Sequence, residues 1–110
     1  MNTQEEVQLS LRLRSLNINK VCILGLGYIG LPTASILATH GFKVIGVDIN
    51  DEVITKLNKR ETHIKELGLK TLVEASIKSG NLKVQNSPEE ADVFIIAVPA
   101  PVTKDKKTDL

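Results

Sequence analysis

Residues 21–30 read Val-Cys-Ile-Leu-Gly-Leu-Gly-Tyr-Ile-Gly, and this stretch decides the fold. Its first four residues form an uninterrupted apolar run, which is typical of a strand buried on both faces of a parallel sheet. The run ends in a G-x-G-x-x-G pattern, and residues 29–40 have the composition of a helix that stops at Gly41. A strand, a glycine-rich turn and a helix in this order indicate the start of a dinucleotide-binding βαβ unit.

An acidic residue follows at the spacing that such a unit requires. Residues 42–48 form a second strand that ends in Asp48, eighteen positions after Gly30. In dinucleotide-binding folds an acidic residue about 20 positions on accepts hydrogen bonds from the ribose hydroxyls. Its charge would repel a 2′-phosphate, and no arginine occurs at positions 49–52, so the pattern favours NAD over NADP as the cofactor. The alternative is a glycine turn beside a surface aspartate in an unrelated α/β protein.

Each position of the motif has its own physical reason. Gly25 permits the tight turn, Gly27 lets the backbone approach the pyrophosphate, and Gly30 lets the helix pack against the strands. The helix start at residues 28–30 offers N–H groups and the positive end of the helix dipole to the phosphates. Ligands of open parallel sheets lie beyond the carboxyl ends of the strands, which adds the end of the last strand. The predicted cofactor-binding residues are Gly25, Gly27, Tyr28, Ile29, Gly30, Asp48, Val98, Pro99 and Ala100.

The rest of the chain continues the alternation of strands and helices. The patterns predict, in order, a helix capped by Asn50 or Asp51, a loop over residues 60–68, a helix over 69–78, a strand over 82–84, a brief helical turn from Ser87 and a strand over 91–98. The predicted fold class is α/β and Rossmann-like, a partial doubly wound parallel sheet of about four strands with flanking helices. We expect an N-terminal extension over residues 1–18, which fits one weakly packed helix, and the Rossmann domain over 19–110.

Composition excludes several classes of protein. With 110 residues the chain is one domain, and its net charge of +1 excludes the basic footprint of a non-specific nucleic-acid binder. A single cysteine excludes both an intramolecular disulfide framework and a cysteine-rich zinc site, so no metal is expected. The apolar runs are too short to span a bilayer, and residues 1–19 lack the features of a signal peptide. We therefore expect a cytoplasmic protein.

Three stretches, residues 25–34, 44–50 and 95–101, resemble the UDP-glucose/GDP-mannose dehydrogenase family. The likeness runs from about residue 19 to the end and is nearest to the bacterial branch that acts on UDP-N-acetyl-D-mannosamine. That family oxidises a nucleotide-sugar alcohol at C6 to a carboxylate and reduces two NAD. It combines an NAD domain, a central helical dimerisation domain and a C-terminal sugar-nucleotide domain. The resemblance implies that Tyr28 and Ile29 contact NAD and that Asp48 holds its ribose.

The chain departs from the family pattern at two positions. Ala100 stands where the family has a threonine on the cofactor, and Leu67 stands where a proline usually follows the glutamate. The family's nucleophilic cysteine would lie beyond residue 110, and Cys22 cannot replace it because it lies inside the first strand, where a packing role is expected. His40 is interpreted as a helix cap or surface group, and His63 as a surface loop residue.

The resemblance thus implies the NAD-binding portion of a nucleotide-sugar 6-dehydrogenase, truncated before its catalytic domains and inactive alone. Two alternatives are a stand-alone NAD-binding module and a decayed remnant, and a third is a 3-hydroxyacid-type dehydrogenase, which also begins with a glycine-rich βαβ unit. The expected partners are NAD and, in a full-length enzyme, a nucleotide sugar, with neither nucleic acid nor membrane. From the resemblance we expect either a homo-oligomer or pairing with a missing C-terminal portion.

Overall fold

The computed structural model describes residues 3–97, so the predictions for Val98, Pro99 and Ala100 lie outside the described residues. The elements in that range are α1 (Thr3–Ser15), β1 (Lys20–Leu24), α2 (Gly30–Thr39), β2 (Lys43–Val47), α3 (Asp51–Asn58), α4 (Leu69–Lys78), β3 (Leu82–Gln85) and β4 (Val93–Ile96). The strands pair in parallel in the order β3-β2-β1-β4, which confirms the predicted Rossmann-like α/β fold. Across the same range no helix is both long and apolar enough to cross a membrane.

Local sequence explains where α3 and α4 begin and end. The side chain of Asn50 accepts a hydrogen bond of 2.9 Å from the Glu52 N–H and thereby caps α3. Gly68 and Gly80 flank α4 with φ angles of 79° and 83°, a left-handed conformation that glycine adopts without steric cost. The structure therefore gives α4 the bounds that the sequence predicts.

The prediction of a brief helical turn from Ser87 is wrong. Residues 88–90 are irregular in the structure. The Glu89 carboxylate instead accepts a 3.1 Å hydrogen bond from Lys20 Nζ and lies 3.8 Å from Lys83 Nζ. The hydrogen bond from Lys20, with a smaller contribution from Gln85, holds the pKa of Glu89 below its ordinary value. These contacts hold residues 88–90 against β1 and β3 at one edge of the sheet. They replace the interaction of Glu89 with a helix dipole that the sequence predicted.

The two faces of the sheet are covered unequally. α2 and α4 pack on one face, where the main core includes residues from all four strands. On the other face Cys22 and its neighbours in β2 form a smaller buried cluster, which confirms that the thiol is a buried packing group. Phe94 and Ile96 of β4 point to that second face and remain 49% and 70% exposed. The sheet therefore has one thickly covered face and one partly open face among residues 3–97.

α1 lies along α2 and runs in the same direction, because Glu5 lines a groove with Ile29 near the two helix starts and Arg14 contacts His40 near the two helix ends. Ser10 and Leu13 are its buried residues. Near its end, Arg14 Nη2 donates a hydrogen bond to the carbonyl of His40, the C-cap residue of α2. The Arg14 guanidinium carbon also lies 4.6 Å from the centroid of the Phe42 ring, within the range of a cation–π interaction. The expected N-terminal helix is present, and His40 occupies the cap position that its sequence context indicates.

Replacing Arg14 with alanine should lower the free energy of unfolding by about 1–2 kcal/mol, because it removes both the capping hydrogen bond and the contact with Phe42. Urea denaturation followed by circular dichroism measures this loss. Arg12→Ala is the matched control, since Arg12 is an exposed residue of the same helix and should tolerate the change. Equal stability of the two variants would contradict the prediction.

Candidate dinucleotide-binding site

The glycine-rich loop leaves the sheet through a sharp turn at Gly25. The φ angle of Gly25 is 106°, a conformation that side chains rarely permit. Its N–H donates a 2.8 Å hydrogen bond to the carbonyl of Val47 at the end of β2. The loop therefore begins as a continuation of the β1–β2 ladder and then turns toward α2, at the carboxyl edge of the sheet.

The other two motif glycines are required for different reasons. A Cβ on Gly30 would lie 1.7 Å from the carbonyl oxygen of Gly25 and 3.2 Å from the Cβ of Ala97, so only hydrogen fits between α2 and the strands. A Cβ on Gly27 would have no atom of the described chain within 4 Å. Gly30 is thus needed for packing, whereas Gly27 borders open space in which a ligand could approach the backbone.

α2 begins three residues after Gly27, with Ile29 at its N-cap position. Among residues 3–97 no side chain caps this helix, and its first turn contains no acidic residue. The first N–H groups of a helix and its dipole attract anions, most strongly when no side chain of the protein competes for them. Tyr28 and Ile29 flank the helix start with 72% and 69% of their surface exposed. They line a groove of about 470 Å³ between α1 and α2.

Asp48 lies beside the loop in a fixed orientation. Its Oδ2 accepts a 3.0 Å hydrogen bond from the Leu26 N–H, and its Oδ1 accepts a 2.9 Å hydrogen bond from the Asn50 N–H. A carboxylate has about four acceptor positions, so both oxygens keep a lone pair for a ligand hydroxyl. Because Asp48 directly follows β2, it stands next to the end of β1, where the sequence pattern places it.

His63 is a member of this region that sequence reasoning missed. Its Nε2 donates a 2.7 Å hydrogen bond to the carbonyl of Leu26, within the glycine-rich loop. Its Nδ1 is buried and has no hydrogen-bond partner among the described residues. His63 does lie in the loop between α3 and α4, as predicted, but it is only partly exposed and its ring is turned toward the glycine-rich loop. The two residues are 37 positions apart, and no local pattern links them, so only the folded chain brings them together.

A second concavity, of about 320 Å³, lies at the opposite edge of the sheet, where Lys20, Lys43, Lys83 and Glu89 line it. These residues stand at or near the amino ends of the strands, whereas open α/β sheets bind ligands at the carboxyl ends. At this edge Asp92 accepts hydrogen bonds from the N–H groups of residues 19 and 20, at 2.8 and 2.9 Å, and they lower the pKa of Asp92. At this edge Lys20 and Lys83 pair with Glu89, and Asp92 ties the start of β4 to β1.

Comparisons with known proteins match this chain to one family. The model of the UDP-glucose/GDP-mannose dehydrogenase family, NAD binding domain, matches residues 19–110. A UDP-N-acetyl-D-mannosamine dehydrogenase from Methanococcus aeolicus is 58% identical over 89 residues, covering 81% of this chain and 20% of that protein. One from Campylobacter jejuni is 56% identical over 87 residues, covering 79% and 21%.

Solved structures give the same result. The UDP-N-acetyl-mannosamine dehydrogenase Cap5O from Staphylococcus aureus matches with a TM-score of 0.77 and 50% identity, covering 79% of this chain and 21% of that one. A UDP-glucose dehydrogenase from Pyrobaculum islandicum matches with a TM-score of 0.75 and 34% identity, covering 80% and 21%. The chain therefore spans about a fifth of the length of the relatives that it matches.

Proposed function

Because the chain belongs to the UDP-glucose/GDP-mannose dehydrogenase family and forms its NAD-binding domain, we propose that the glycine-rich loop and Asp48 are the residues that hold NAD. The observation that carries this proposal is the oriented carboxylate of Asp48, hydrogen-bonded to the loop beside the open space at Gly27. Family membership also argues against a 3-hydroxyacid-type dehydrogenase. Bound NAD would supply the hydride acceptor of the reaction.

The proposed roles follow from the placement of each residue. The N–H groups of Gly27, Tyr28 and Ile29 would bind the pyrophosphate, since they stand at the uncapped start of α2. Gly25 provides the turn and Gly30 the close packing. Asp48 would accept hydrogen bonds from the adenosine ribose and would repel a 2′-phosphate. Val98, Pro99 and Ala100, beyond the described range, remain the proposed wall beside the cofactor.

For the whole protein we propose the oxidation of UDP-N-acetyl-D-mannosamine to the corresponding uronate with the reduction of two NAD. The support is the identity of 51–58% to proteins named UDP-N-acetyl-D-mannosamine dehydrogenase, within the fifth of their length that this chain covers. No nucleophilic role is proposed for Cys22, because it is completely buried in β1. For the whole enzyme we propose the nucleotide sugar as a ligand. We also propose that it forms a homo-oligomer or pairs with a separate C-terminal portion. We place it in the cytoplasm, where a free thiol stays reduced.

Replacing Asp48 with asparagine should weaken NAD binding by about tenfold or more, because hydrogen bonds to a charged acceptor contribute about 1.5–3 kcal/mol. The ratio of the NAD affinity to the NADP affinity should fall in the same variant, since the charge that repels the 2′-phosphate of NADP is gone. Isothermal titration calorimetry of the purified chain with each nucleotide measures both effects.

Asp51→Asn is the matched control, since Asp51 is exposed in the first turn of α3 and should leave the affinity unchanged. An unchanged affinity of the Asp48 variant would remove its ribose role. A folded wild-type chain that binds NAD without turnover fits either the domain of a longer enzyme or a stand-alone module. An unfolded product at neutral pH would favour the decayed remnant.

A further inference from the structure

Leu26, between the first two glycines, is held through its side chain and through both of its backbone polar groups. The side chain is completely buried, and its methyl groups lie over β2 so closely that a Cβ on Gly46 would stand 3.0 Å from Leu26 Cδ2. Its N–H donates to Asp48 Oδ2 at 3.0 Å. Its carbonyl accepts from His63 Nε2 at 2.7 Å. Two side chains from separate segments therefore fix the peptide groups on either side of one loop residue.

The hydrogen bond from His63 determines where the next N–H points. The peptide bonds of the described chain are all trans, and in a trans peptide the C=O and the following N–H point in opposite directions. The carbonyl of Leu26 is turned toward His63, so the N–H of Gly27 is turned away from it. A Cβ on Gly27 would have no atom of the described chain within 4 Å, so open space borders this residue on its Cβ side. The histidine thus fixes the direction of this N–H, which points away from the loop between α3 and α4.

The imidazole ring has a fixed tautomer in this arrangement. A carbonyl oxygen only accepts, so Nε2 must carry the hydrogen, and Nδ1 of the neutral ring is left as an acceptor. That Nδ1 is buried without a partner among residues 3–97, which is an unfavourable state for a polar atom. An apolar side chain could fill the same space without burying an unpaired nitrogen. The contribution that a histidine makes here is therefore its Nε2–H donor and not its bulk.

We propose that His63 is a positioning residue for cofactor binding: by holding the carbonyl of Leu26 it presents the N–H of Gly27 to the pyrophosphate of NAD. The inference rests on the proposed function, since it assumes that the loop binds the dinucleotide. It assigns to the loop between α3 and α4 a role in the site, exerted through a backbone carbonyl and without contact with the cofactor. The donor, more than the ring itself, is what the site requires.

The test compares three variants of the full chain by titration with NAD. His63→Leu removes the donor and should weaken NAD binding by about three- to tenfold, the range expected for one lost hydrogen bond. His63→Gln can place an amide N–H near the position of Nε2 and should restore most of the affinity. His40→Leu is the matched control, because His40 lies at the carboxyl end of α2, away from the loop, and should bind NAD like the wild type. Thermal melts of each variant separate affinity from stability.

Nitrogen NMR of the imidazole ring supplies a readout that packing alone would not move. The wild-type ring should show hydrogen on Nε2, and the Gly27 amide signal should shift in His63→Leu and return toward its wild-type position in His63→Gln. Equal NAD affinity of His63→Leu and the wild type would overturn the inference. So would loss of stability and affinity to the same degree in both His63 variants, since that indicates a packing role. A folded wild-type chain that does not bind NAD would instead overturn the proposed function, and this inference with it.

Discussion

Replacing Gly30 with alanine should lower the free energy of unfolding by about 3 kcal/mol or more, the upper range for forcing an extra carbon into a packed region. The new Cβ would lie 1.7 Å from the Gly25 oxygen and 2.8 Å from the carbon that carries it. Both are backbone atoms, so no side-chain rotation relieves the overlap, and α2 must move away from β1. Chemical denaturation followed by circular dichroism measures the loss.

Gly27→Ala is the control for this prediction, because it makes the same chemical change three residues earlier in the loop. A Cβ at that position meets no atom of the described chain within 4 Å, so the unfolding free energy should stay close to that of the wild type. A Gly30 variant as stable as the Gly27 variant would show that the contact between α2 and the Gly25 carbonyl is not close in solution.

The same Gly27→Ala change, which should leave the stability unchanged, should weaken the affinity for NAD by about a hundredfold. The added methyl group would occupy the space through which the pyrophosphate approaches the backbone, and overpacking of this kind costs up to about 3 kcal/mol. Calorimetric titration of the purified variant with NAD measures the change. The combination of preserved stability and lost affinity is what distinguishes a binding position from a packing position.

Gly80→Ala serves as the control for affinity, because it should change the stability of the chain and not its binding of NAD. Gly80 lies at the amino edge of the sheet with a φ angle of 83°, so alanine is strained there, yet the site at the carboxyl edge is untouched. This variant should lose stability and keep its NAD affinity. If Gly27→Ala binds NAD as tightly as Gly80→Ala, the pyrophosphate does not approach the loop at Gly27.

Much of the fold could be predicted from the sequence because its determinants are local. α4 lies between Gly68 and Gly80, whose backbone conformations stop a helix without help from distant residues. β1 is an apolar run that a parallel sheet buries, and the glycines that follow it encode the turn. The irregular segment at residues 88–90 could not be predicted, because the contacts of Glu89 come from Lys20 and Lys83 on two different strands.

The candidate site also contains some residues that the sequence predicts and others that it does not. The motif glycines and Asp48 could be predicted since their spacing within one βαβ unit is fixed by the lengths of a helix and a strand. His63 could not, because its contact with Leu26 depends on how the loop between α3 and α4 folds back over 37 positions. The same holds for Arg14, which meets the end of α2 only once α1 has docked. Residues that act through distant backbone groups leave no pattern in the sequence.

The attachment of Leu26 also bears on the dynamics of the chain. Loops that bind ligands usually belong to the least stable part of a protein and open without unfolding the rest. Here the loop residue is tied to the end of β2, to the loop before α4 and to the main core, so that it cannot be released without disturbing all three. Its amide proton should therefore exchange with solvent as slowly as those of the central strands. We therefore expect the glycine loop to open only together with the sheet, so that the cofactor would meet a surface that is already ordered.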